Sequence, residues 1–235
     1  MKSEWLPKVV LLVLIYVFMS EIISNVFNVD CLEYMKTLPD KYFDLCIADP
    51  PYGINIGNGL GSGKKSCKMH HEWQFNAPTQ EVFEEMFRIS KNQIIWGGNY
   101  FNLPLCDNWI VWDKLNPNLS FAEGELAWCS IHKKLRIFKH YSAKVDGGTK
   151  IHPTQKPVAL YSWILDNYAK EGDKIFDPFL GSGSSRIAAY MKGFDFYACE
   201  LDKEYYDLQE KRFREKAFGE VKVNDKIIVQ QQDLF

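Results

Sequence analysis

The first residues whose types and spacing suit chemistry are Asp49, Pro50, Pro51 and Tyr52, which directly follow the apolar run 43–48. Successive prolines fix the backbone φ angle and remove two N–H donors, so they stiffen the turn. The turn then holds a carboxylate, a backbone carbonyl and an aromatic ring together, which suits a flat polar ligand such as a nucleobase. A proline-stiffened loop with a capping aspartate is the alternative interpretation.

A second candidate site lies in the C-terminal half, where a strand, a glycine turn, a helix and another strand succeed one another between residues 174 and 200. Gly181 and Gly183 permit a tight turn and let a ligand approach the backbone. Glu200 ends the second strand, 19 residues after Gly181. Dinucleotide-binding folds place an acid that binds ribose hydroxyls at about 20 residues. This half of the chain therefore predicts a nucleotide-type half-fold.

The residues of the turn indicate which ligand it takes. The third glycine of the dinucleotide fingerprint is missing, since Ser184, Ser185 and Arg186 stand there, and this disfavours a pyrophosphate. The Asp177 carboxylate would repel a phosphate but attract an ammonium group. Adenosine at one end and an amino acid at the other describe S-adenosylmethionine. An ordinary βαβ turn without a ligand is the alternative.

The bulk composition narrows the possible partners. A chain of 235 residues fits one α/β domain, and a formal net charge of −2 means that any contact with nucleic acid must come from local basic patches. The six cysteines are scattered without a C-x-x-C pair, which predicts reduced thiols in a cytoplasmic protein. Cys67, His70 and His71 lack a second ligand pair, so no metal is expected.

The N-terminus carries Lys2 and Lys8 around an apolar run that is too short to span a bilayer, which needs roughly 20 residues. No small-residue cleavage site follows it, so neither a signal peptide nor a membrane partner is expected. We expect an extension outside the fold at residues 1–18, a main domain at 19–225, a target-recognition segment near 130–150 and a tail at 226–235.

Hydrophobic patterns predict an α/β fold with a doubly wound, mostly parallel sheet. The predicted strands are 22–29, 43–48, 92–96, 109–112, 174–176 and 195–199. The predicted helices are 31–38, 79–90, 158–168, 185–191 and 205–218. Two further segments, 126–131 and 134–138, are predicted to pair as antiparallel strands.

Two basic stretches are candidate contacts to nucleic acid. The glycine-rich loop 53–63 is not a phosphate loop, because Asn58 replaces the first glycine of that motif, and a mobile basic lid is predicted instead. The segment 132–156 is mostly basic with interleaved aromatic residues, which suits a phosphate backbone and an unstacked base. A plain surface loop and a solvated charged face are the alternatives. The candidate DNA-binding residues are Lys64, Lys65, Lys68, Lys133, Lys134, Arg136, Lys139 and Lys144.

The glycine turn 179–183 and the tetrapeptide 49–52 together resemble the motifs of the amino-group DNA methyltransferases. The tetrapeptide comes first, then a target-facing segment, then 152–157 and finally the glycine turn, and this order resembles the circularly permuted β-class. The resemblance covers residues 22–218. It implies a Rossmann-like, S-adenosylmethionine-dependent enzyme that modifies double-stranded DNA, commonly in restriction–modification systems and in many cases as a homodimer.

The resemblance also implies residue roles. The Asp49 side chain and the Pro50 carbonyl would accept the two N–H bonds of the target amine, and Tyr52 would stack on a flipped base. Asp177 would hold the ammonium group of the cofactor and Glu200 its ribose. The other implied residues are Pro51 at the target base and Phe179, Gly181, Gly183, Ser184, His152, Thr154 and Lys156 at the cofactor, with 152–156 facing its carboxylate.

Asp at the first position of the tetrapeptide favours adenine N6, because similar cytosine-N4 enzymes usually carry Ser there. Cytosine-N4 DNA methylation and adenine-N6 RNA methylation remain open. A non-catalytic nucleic-acid-binding subunit would have little need of the intact Asp49, Tyr52 and Gly181. A protein-glutamine methyltransferase normally begins the tetrapeptide with Asn and has the unpermuted order.

The chain ends in a segment, Gln231 to Phe235, that resembles the peptide by which proteins bind bacterial sliding clamps. Leu234 and Phe235 would be its apolar anchors. Packing of these two side chains on the sheet is the alternative.

Overall fold

The computed structural model describes residues 22–53, 76–117, 122–141, 150–223 and 226–229. Several predictions fall outside the described residues: those for 1–18, for Lys64, Lys65, Lys68 and Lys144, and for the segment Gln231–Phe235.

Ten strands and five α-helices alternate along the described chain. The strands are β1 (Ser24–Phe27), β2 (Phe43–Ala48), β3 (Ser90–Trp96), β4 (Trp109–Asp113), β5 (Gly124–Cys129), β6 (Arg136–Lys139), β7 (Lys174–Asp177), β8 (Asp195–Cys199), β9 (Glu220–Val223) and β10 (Lys226–Val229). The helices are α1 (Cys31–Lys36), α2 (Gln80–Ile89), α3 (Val158–Tyr168), α4 (Ser184–Met191) and α5 (Lys203–Phe218).

Eight strands form one sheet in the order β1-β8-β7-β2-β3-β5-β4-β6. The first five strands of this order are mutually parallel, whereas β5 is antiparallel to both β3 and β4. Strand β6 lies parallel to β4 at one edge, and β9 and β10 form a separate antiparallel pair. The predicted α/β fold with a mostly parallel sheet is therefore confirmed.

The predicted pairing of 126–131 with 134–138 is wrong. Strand β5 already has β3 on one side and β4 on the other, so neither of its edges is available to β6. The chain instead passes to the far side of β4, where Ile110 lies opposite Arg136 in parallel register. A short connection suggested a hairpin, but the neighbours of β5 decide the topology.

Two hydrophobic clusters cover the two faces of the sheet. Alternate residues of β2 enter different clusters, Leu45 and Ile47 on one face and Cys46 and Ala48 on the other. Helices α3 and α4 contribute Leu160, Ile164 and Ala188 to the first cluster, and α2 contributes Phe83, Met86 and Ile89 to the second. Burial on both faces explains why β2 is apolar at each position from Leu45 to Ala48.

Helix boundaries follow from capping residues. Asp30 begins α1 by accepting hydrogen bonds from the backbone N–H groups of Leu32 and Glu33. Asp202 begins α5 in the same way, and Gly219, with φ of 66°, ends it. Within the described part of the chain, no helix combines the length and the apolar character needed to cross a bilayer.

Candidate active site

The candidate site lies at the carboxyl ends of three adjacent parallel strands. Asp49 follows β2, Asp177 ends β7 and Glu200 follows β8. Strands β2 and β7 share only two paired positions, Leu45 with Ile175 and Cys46 with Phe176. The chain continues from β2 toward β3 on one side and from β7 toward β8 on the other, so a switch point of the sheet lies between them. Open α/β sheets bind ligands in the crevice at such points.

The tetrapeptide forms a hydrogen-bonded cluster around one carboxylate oxygen. The Tyr52 hydroxyl donates to Asp49 Oδ1 at 3.0 Å, and the Lys156 ammonium donates to the same oxygen at 2.5 Å. Lys156 is the last basic residue of the predicted cofactor segment, and its side chain is only 3% exposed. The structure therefore brings the tetrapeptide and the 152–156 segment together, with the Lys156 ammonium on the tetrapeptide carboxylate.

The ring of Tyr52 is held by a glycine turn after β3. It stacks on Tyr100 with ring centroids 5.1 Å apart and contacts Phe101 edge-on. Gly97 has φ of 64°, and a Cβ atom added there would lie 2.3 Å from the nearest ring atom of Tyr52. Only glycine fits this close approach, so Gly97 is a positioning residue that the sequence reading did not single out.

Two further charged residues complete the cluster, and sequence reasoning missed both. Glu125 in β5 accepts the Lys156 ammonium at 3.0 Å and the Tyr52 hydroxyl at 3.3 Å. Lys114, which follows β4, forms an ion pair with the other oxygen of Glu125 at 2.6 Å. An isolated acid inside the apolar strand segment Gly124–Cys129 was the only available signal.

Burial and ion pairing shift the pKa values of these groups in opposite directions. Burial raises the pKa of Asp49, and the Lys156 ammonium opposes that rise. Burial also acts to raise the pKa of Glu125, but Lys156 and Lys114 together lower it to about 2. The pKa of Lys156 is raised, because its two carboxylate partners outweigh the burial of its charge. The cluster is thus a buried, internally paired set of charges.

The second group of predicted residues forms the glycine turn between β7 and α4. Asp177 is buried, and it accepts hydrogen bonds from the Ser185 hydroxyl at 2.5 Å and from the Phe179 backbone N–H at 3.0 Å. Burial raises the pKa of Asp177 to about 7. Gly183, with φ of 74°, is the residue that caps α4.

Glu200 orders this turn through its carboxylate. It accepts the Gly181 backbone N–H at 2.7 Å and the Asp202 backbone N–H at 2.9 Å. Arg212 of α5 also holds the turn, because it donates to the Ser182 carbonyl at 2.6 Å and to Ser184 Oγ at 3.0 Å. The sequence did not point to this residue. Glu200 and Arg212, which lie far from it in the chain, thus both hold the glycine turn in place.

His152 packs over the glycine turn. Its ring lies 4.5 Å from the Tyr205 ring, centroid to centroid, and its atoms lie 3.7 Å from a Cβ added at Gly181. Burial, reinforced by the Lys156 charge, lowers the pKa of His152 to about 4, so the imidazole is neutral near pH 7. Thr154 Oγ1 lies 3.2 Å from His152 Nδ1. These two predicted cofactor residues therefore lie beside the turn.

Comparison with known proteins identifies the family. The model of the N6/N4 DNA methylases matches residues 93–211, which is half of the chain. The chain belongs to this family. S-adenosylmethionine is the cofactor of its members. The predicted amino-group DNA methyltransferase resemblance is confirmed at this level.

Individual relatives agree with this assignment. The type II methyltransferase M.HinfI of Haemophilus influenzae is 26% identical over 83% of this chain and 70% of its own length. The M1.HpyAVI–SAM complex superimposes with a TM-score of 0.53 at 22% identity, over 80% of this chain and 98% of that one. The cytosine-N4-specific PvuII DNA methyltransferase gives 0.54 at 15% identity, over 82% and 87%. At these identities the two structures support the fold alone.

The methylase site fits the charge of S-adenosylmethionine. Asp177 and Glu200 both have raised pKa values, chiefly because they are buried. Among the described residues neither carboxylate has a lysine, arginine or histidine within ion-pair distance, and their partners are backbone N–H groups and one hydroxyl. A bound ammonium group would supply the missing positive charge. The described residues form no cluster of three or more metal-ligating side chains.

The predicted DNA-binding residues within the described chain lie on or beside β6. Lys133 and Arg136 contact Asn167 at the end of α3, and both also lie against aromatic rings of that helix. Lys139 lies 3.8 Å from the Asp113 carboxylate. Lys134 is exposed. The basic segment is therefore partly anchored to the methylase fold, and its contact with DNA stays a prediction.

Proposed function

We propose that this methylase transfers the methyl group of S-adenosylmethionine to the exocyclic N6 of a flipped-out adenine at specific sites in DNA. The observation that carries the proposal is the position of Asp49. Its carboxylate lies in a largely buried cluster with Tyr52 and Lys156, directly after the strand next to the one that ends in Asp177. The acceptor for the target amine and the cofactor turn thus share one edge of the sheet.

The amine of adenine is a weak nucleophile because its lone pair is delocalised into the ring. Asp49 and the Pro50 carbonyl would accept its two N–H bonds and so favour a tetrahedral nitrogen whose lone pair points at the cofactor. Both hydrogen bonds that Asp49 accepts from described side chains end on Oδ1. Oδ2 is therefore the oxygen that we assign to the amine. Pro51 keeps the turn rigid.

S-adenosylmethionine supplies an electrophilic methyl group, so that the nitrogen lone pair forms the new C–N bond while the electrons of the C–S bond pass to sulfur. The methylated nitrogen then carries a positive charge and must lose one proton. Asp49 would already accept a hydrogen bond from that amine, and burial raises its pKa, which suits it to take the proton and pass it to solvent.

The target base must leave the duplex before it reaches Asp49, which costs a few kcal/mol. Stacking on Tyr52 would return about 1–3 kcal/mol. The Tyr52 ring is fixed by Gly97 and Tyr100, so little side-chain entropy is lost when the base arrives. Tyr100 is half exposed and lies where it can extend the stack.

At the cofactor we assign the ammonium group to Asp177 and the ribose to Glu200, as the family resemblance implies. Each oxygen of Glu200 already accepts one backbone N–H and retains a lone pair for a hydroxyl. The glycine turn would lie against the cofactor. The proposed cofactor contacts besides these two are Phe179, Gly181, Gly183, Ser184, His152 and Thr154.

The test is transfer of labelled methyl from S-adenosylmethionine to unmethylated double-stranded DNA, followed by separation of the nucleosides. We expect label in N6-methyldeoxyadenosine, and we expect Asp49→Asn to abolish it. Asp207→Asn is the matched control, because Asp207 is an exposed acid on α5 that pairs with the nearby Lys203. Label in N4-methyldeoxycytidine would replace adenine by cytosine as the target. A parallel reaction offers RNA of mixed sequence in place of DNA, and label in that reaction alone would replace DNA as the substrate.

We also propose that double-stranded DNA lies along the basic segment beside β6, and that residues 130–150 contribute to target recognition. Two further proposals concern assembly. Sedimentation at micromolar concentration would detect the homodimer that the family resemblance implies. Pull-down with a sliding clamp would test the segment Gln231–Phe235, and unchanged capture of a variant without this tail would end that idea.

A further inference from the structure

Four charged side chains, Lys156 among them, form an unbroken series across the active site. Asp49 Oδ1 lies 2.5 Å from the Lys156 ammonium, which lies 3.0 Å from Glu125 Oε2. Glu125 Oε1 in turn lies 2.6 Å from the Lys114 ammonium. Charges therefore alternate in sign from the catalytic carboxylate to a residue at the end of β4.

Lys156 is the central member of this series, and its position is demanding. An ammonium group that is only 3% exposed would be strongly destabilised without partners. Two carboxylates share it, and the Tyr52 hydroxyl lies between them, 3.0 Å from Asp49 and 3.3 Å from Glu125. Any change on the Glu125 side must therefore alter how strongly the ammonium interacts with Asp49.

Asp49 has to meet two opposed requirements if it binds the target amine. It must be ionised although it is largely buried, with 18% of its side chain exposed, and the Lys156 charge serves that purpose. It must also remain a strong hydrogen-bond acceptor, which a cation devoted to it alone would weaken. Sharing the cation with a second carboxylate meets both requirements.

We propose that Glu125 is a positioning residue for methyl transfer, which divides the Lys156 ammonium between itself and Asp49 and so keeps Asp49 both ionised and strongly accepting. This inference rests on the proposed function of Asp49. Lys114 acts on the same balance from the other end, since it competes with Lys156 for Glu125. Lys156 then acts on the catalytic carboxylate, in addition to any part it takes at the cofactor.

Other titratable groups face the same cluster. Tyr161 of α3 is buried, and the Asp49, Asp177 and Glu125 charges add to burial in raising its pKa. Asp49 also contributes to the raised pKa of Asp177. Neither group contacts Lys156 in the series above, so the variants chosen below leave both in place.

The direct test is a titration of Asp49 by NMR in the full chain, with the aspartate carboxyl carbons labelled with ¹³C and the Asp49 signal assigned by its loss in Asp49→Asn. Glu125→Gln should lower the Asp49 pKa by about one to two pH units, because the negative charge that shares the Lys156 ammonium is removed and Lys156 passes to Asp49 alone. Lys114→Met should shift it upward, because Glu125 then draws Lys156 away. Equal values in all three proteins would overturn the inference.

Kinetics supply the second readout. Glu125→Gln should reduce kcat about tenfold near pH 7 with an unchanged KM for S-adenosylmethionine, and the acidic limb of its pH profile should move to lower pH. Glu125→Asp should recover part of kcat. Glu123→Gln is the control, because Glu123 is an exposed acid two residues away. A loss of kcat without any movement of the pH profile would mean that Glu125 is merely structural.

The two readouts also separate this inference from the proposed function. The carboxyl titration needs no methyl transfer, so opposed shifts in a protein that fails to methylate DNA would refute the function and keep the charge series. Methylation of adenine with no shift of the Asp49 pKa in either variant would keep the proposed function and refute the role of Glu125.

Discussion

Binding of S-adenosylmethionine should depend on pH through Asp177. Burial raises the pKa of this carboxyl to about 7, whereas the unfolded chain has the ordinary value of 3.8. Only the ionised carboxylate can pair with the ammonium group of the cofactor. That ammonium group has a pKa of about 7.7, so it is almost fully protonated at pH 6 and about three fifths protonated at pH 7.5. Between pH 6 and 7.5, therefore, the ionisation of Asp177 is the larger influence on the affinity.

The size of the effect follows from the raised pKa. With a pKa of about 7, roughly one tenth of the carboxyl is ionised at pH 6 and roughly three quarters at pH 7.5. Since part of the ammonium group is deprotonated at pH 7.5, the affinity should therefore rise about fivefold over this interval. The stability of the ligand-free protein depends on pH with the opposite sign. The raised pKa of Asp177 contributes stability that is fully present below pH 3.8 and is lost as the pH rises through about 7.

Isothermal titration of the full chain at several pH values measures this directly. Asp177→Asn should bind weakly at every pH and show a flat profile, because its amide cannot ionise. Asp166→Asn is the matched control, since Asp166 is an exposed acid paired with Lys192, and it should keep the fivefold rise. A flat profile in the wild-type protein, or a rise that survives in Asp177→Asn, would refute the reasoning.

Three further predictions concern the supports of the site and its DNA contact. Gly97→Ala should reduce kcat at least tenfold by displacing the catalytic tyrosine ring. Gly172→Ala should cost only about 1–2 kcal/mol of stability and no activity, because Gly172 has φ of 83° and an added Cβ meets no atom of the described residues within 4 Å. Arg212→Met should weaken S-adenosylmethionine binding about tenfold in calorimetry, because two hydrogen bonds to the glycine turn are lost. Lys134→Ala should reduce the slope of log affinity for DNA against log salt by about 0.9, whereas Lys211→Ala on the exposed side of α5 should leave it unchanged.

The sequence predicted the strand ends well, because each of them carries a local signal. Apolar runs stop at Asp49, Asp177 and Glu200, and the parallel fold then brings these acids to one edge of the sheet. The helix Val158–Tyr168 and the strand Asp195–Cys199 have the predicted bounds. Periodic apolar patterns and flanking proline or glycine residues were sufficient there.

The residues that the sequence reading missed act through distant contacts. Glu125 and Lys156 are separated by a strand, a basic segment and a turn, and only the assembled sheet places their charged atoms 3.0 Å apart. Arg212 lies 30 residues beyond the carbonyl it supports. The position of β6 depended on which edge of the sheet was free. No local pattern encodes such neighbours.

The measurement that tests the central claim most directly is the nucleoside content of DNA from a host that lacks its own DNA methyltransferases and expresses this protein. Mass spectrometry should find N6-methyldeoxyadenosine with the wild-type chain and none with Asp49→Asn at equal expression. N4-methyldeoxycytidine instead would contradict the choice of adenine. Unmodified DNA from cells in which the folded protein binds S-adenosylmethionine would contradict the claim that DNA is the substrate.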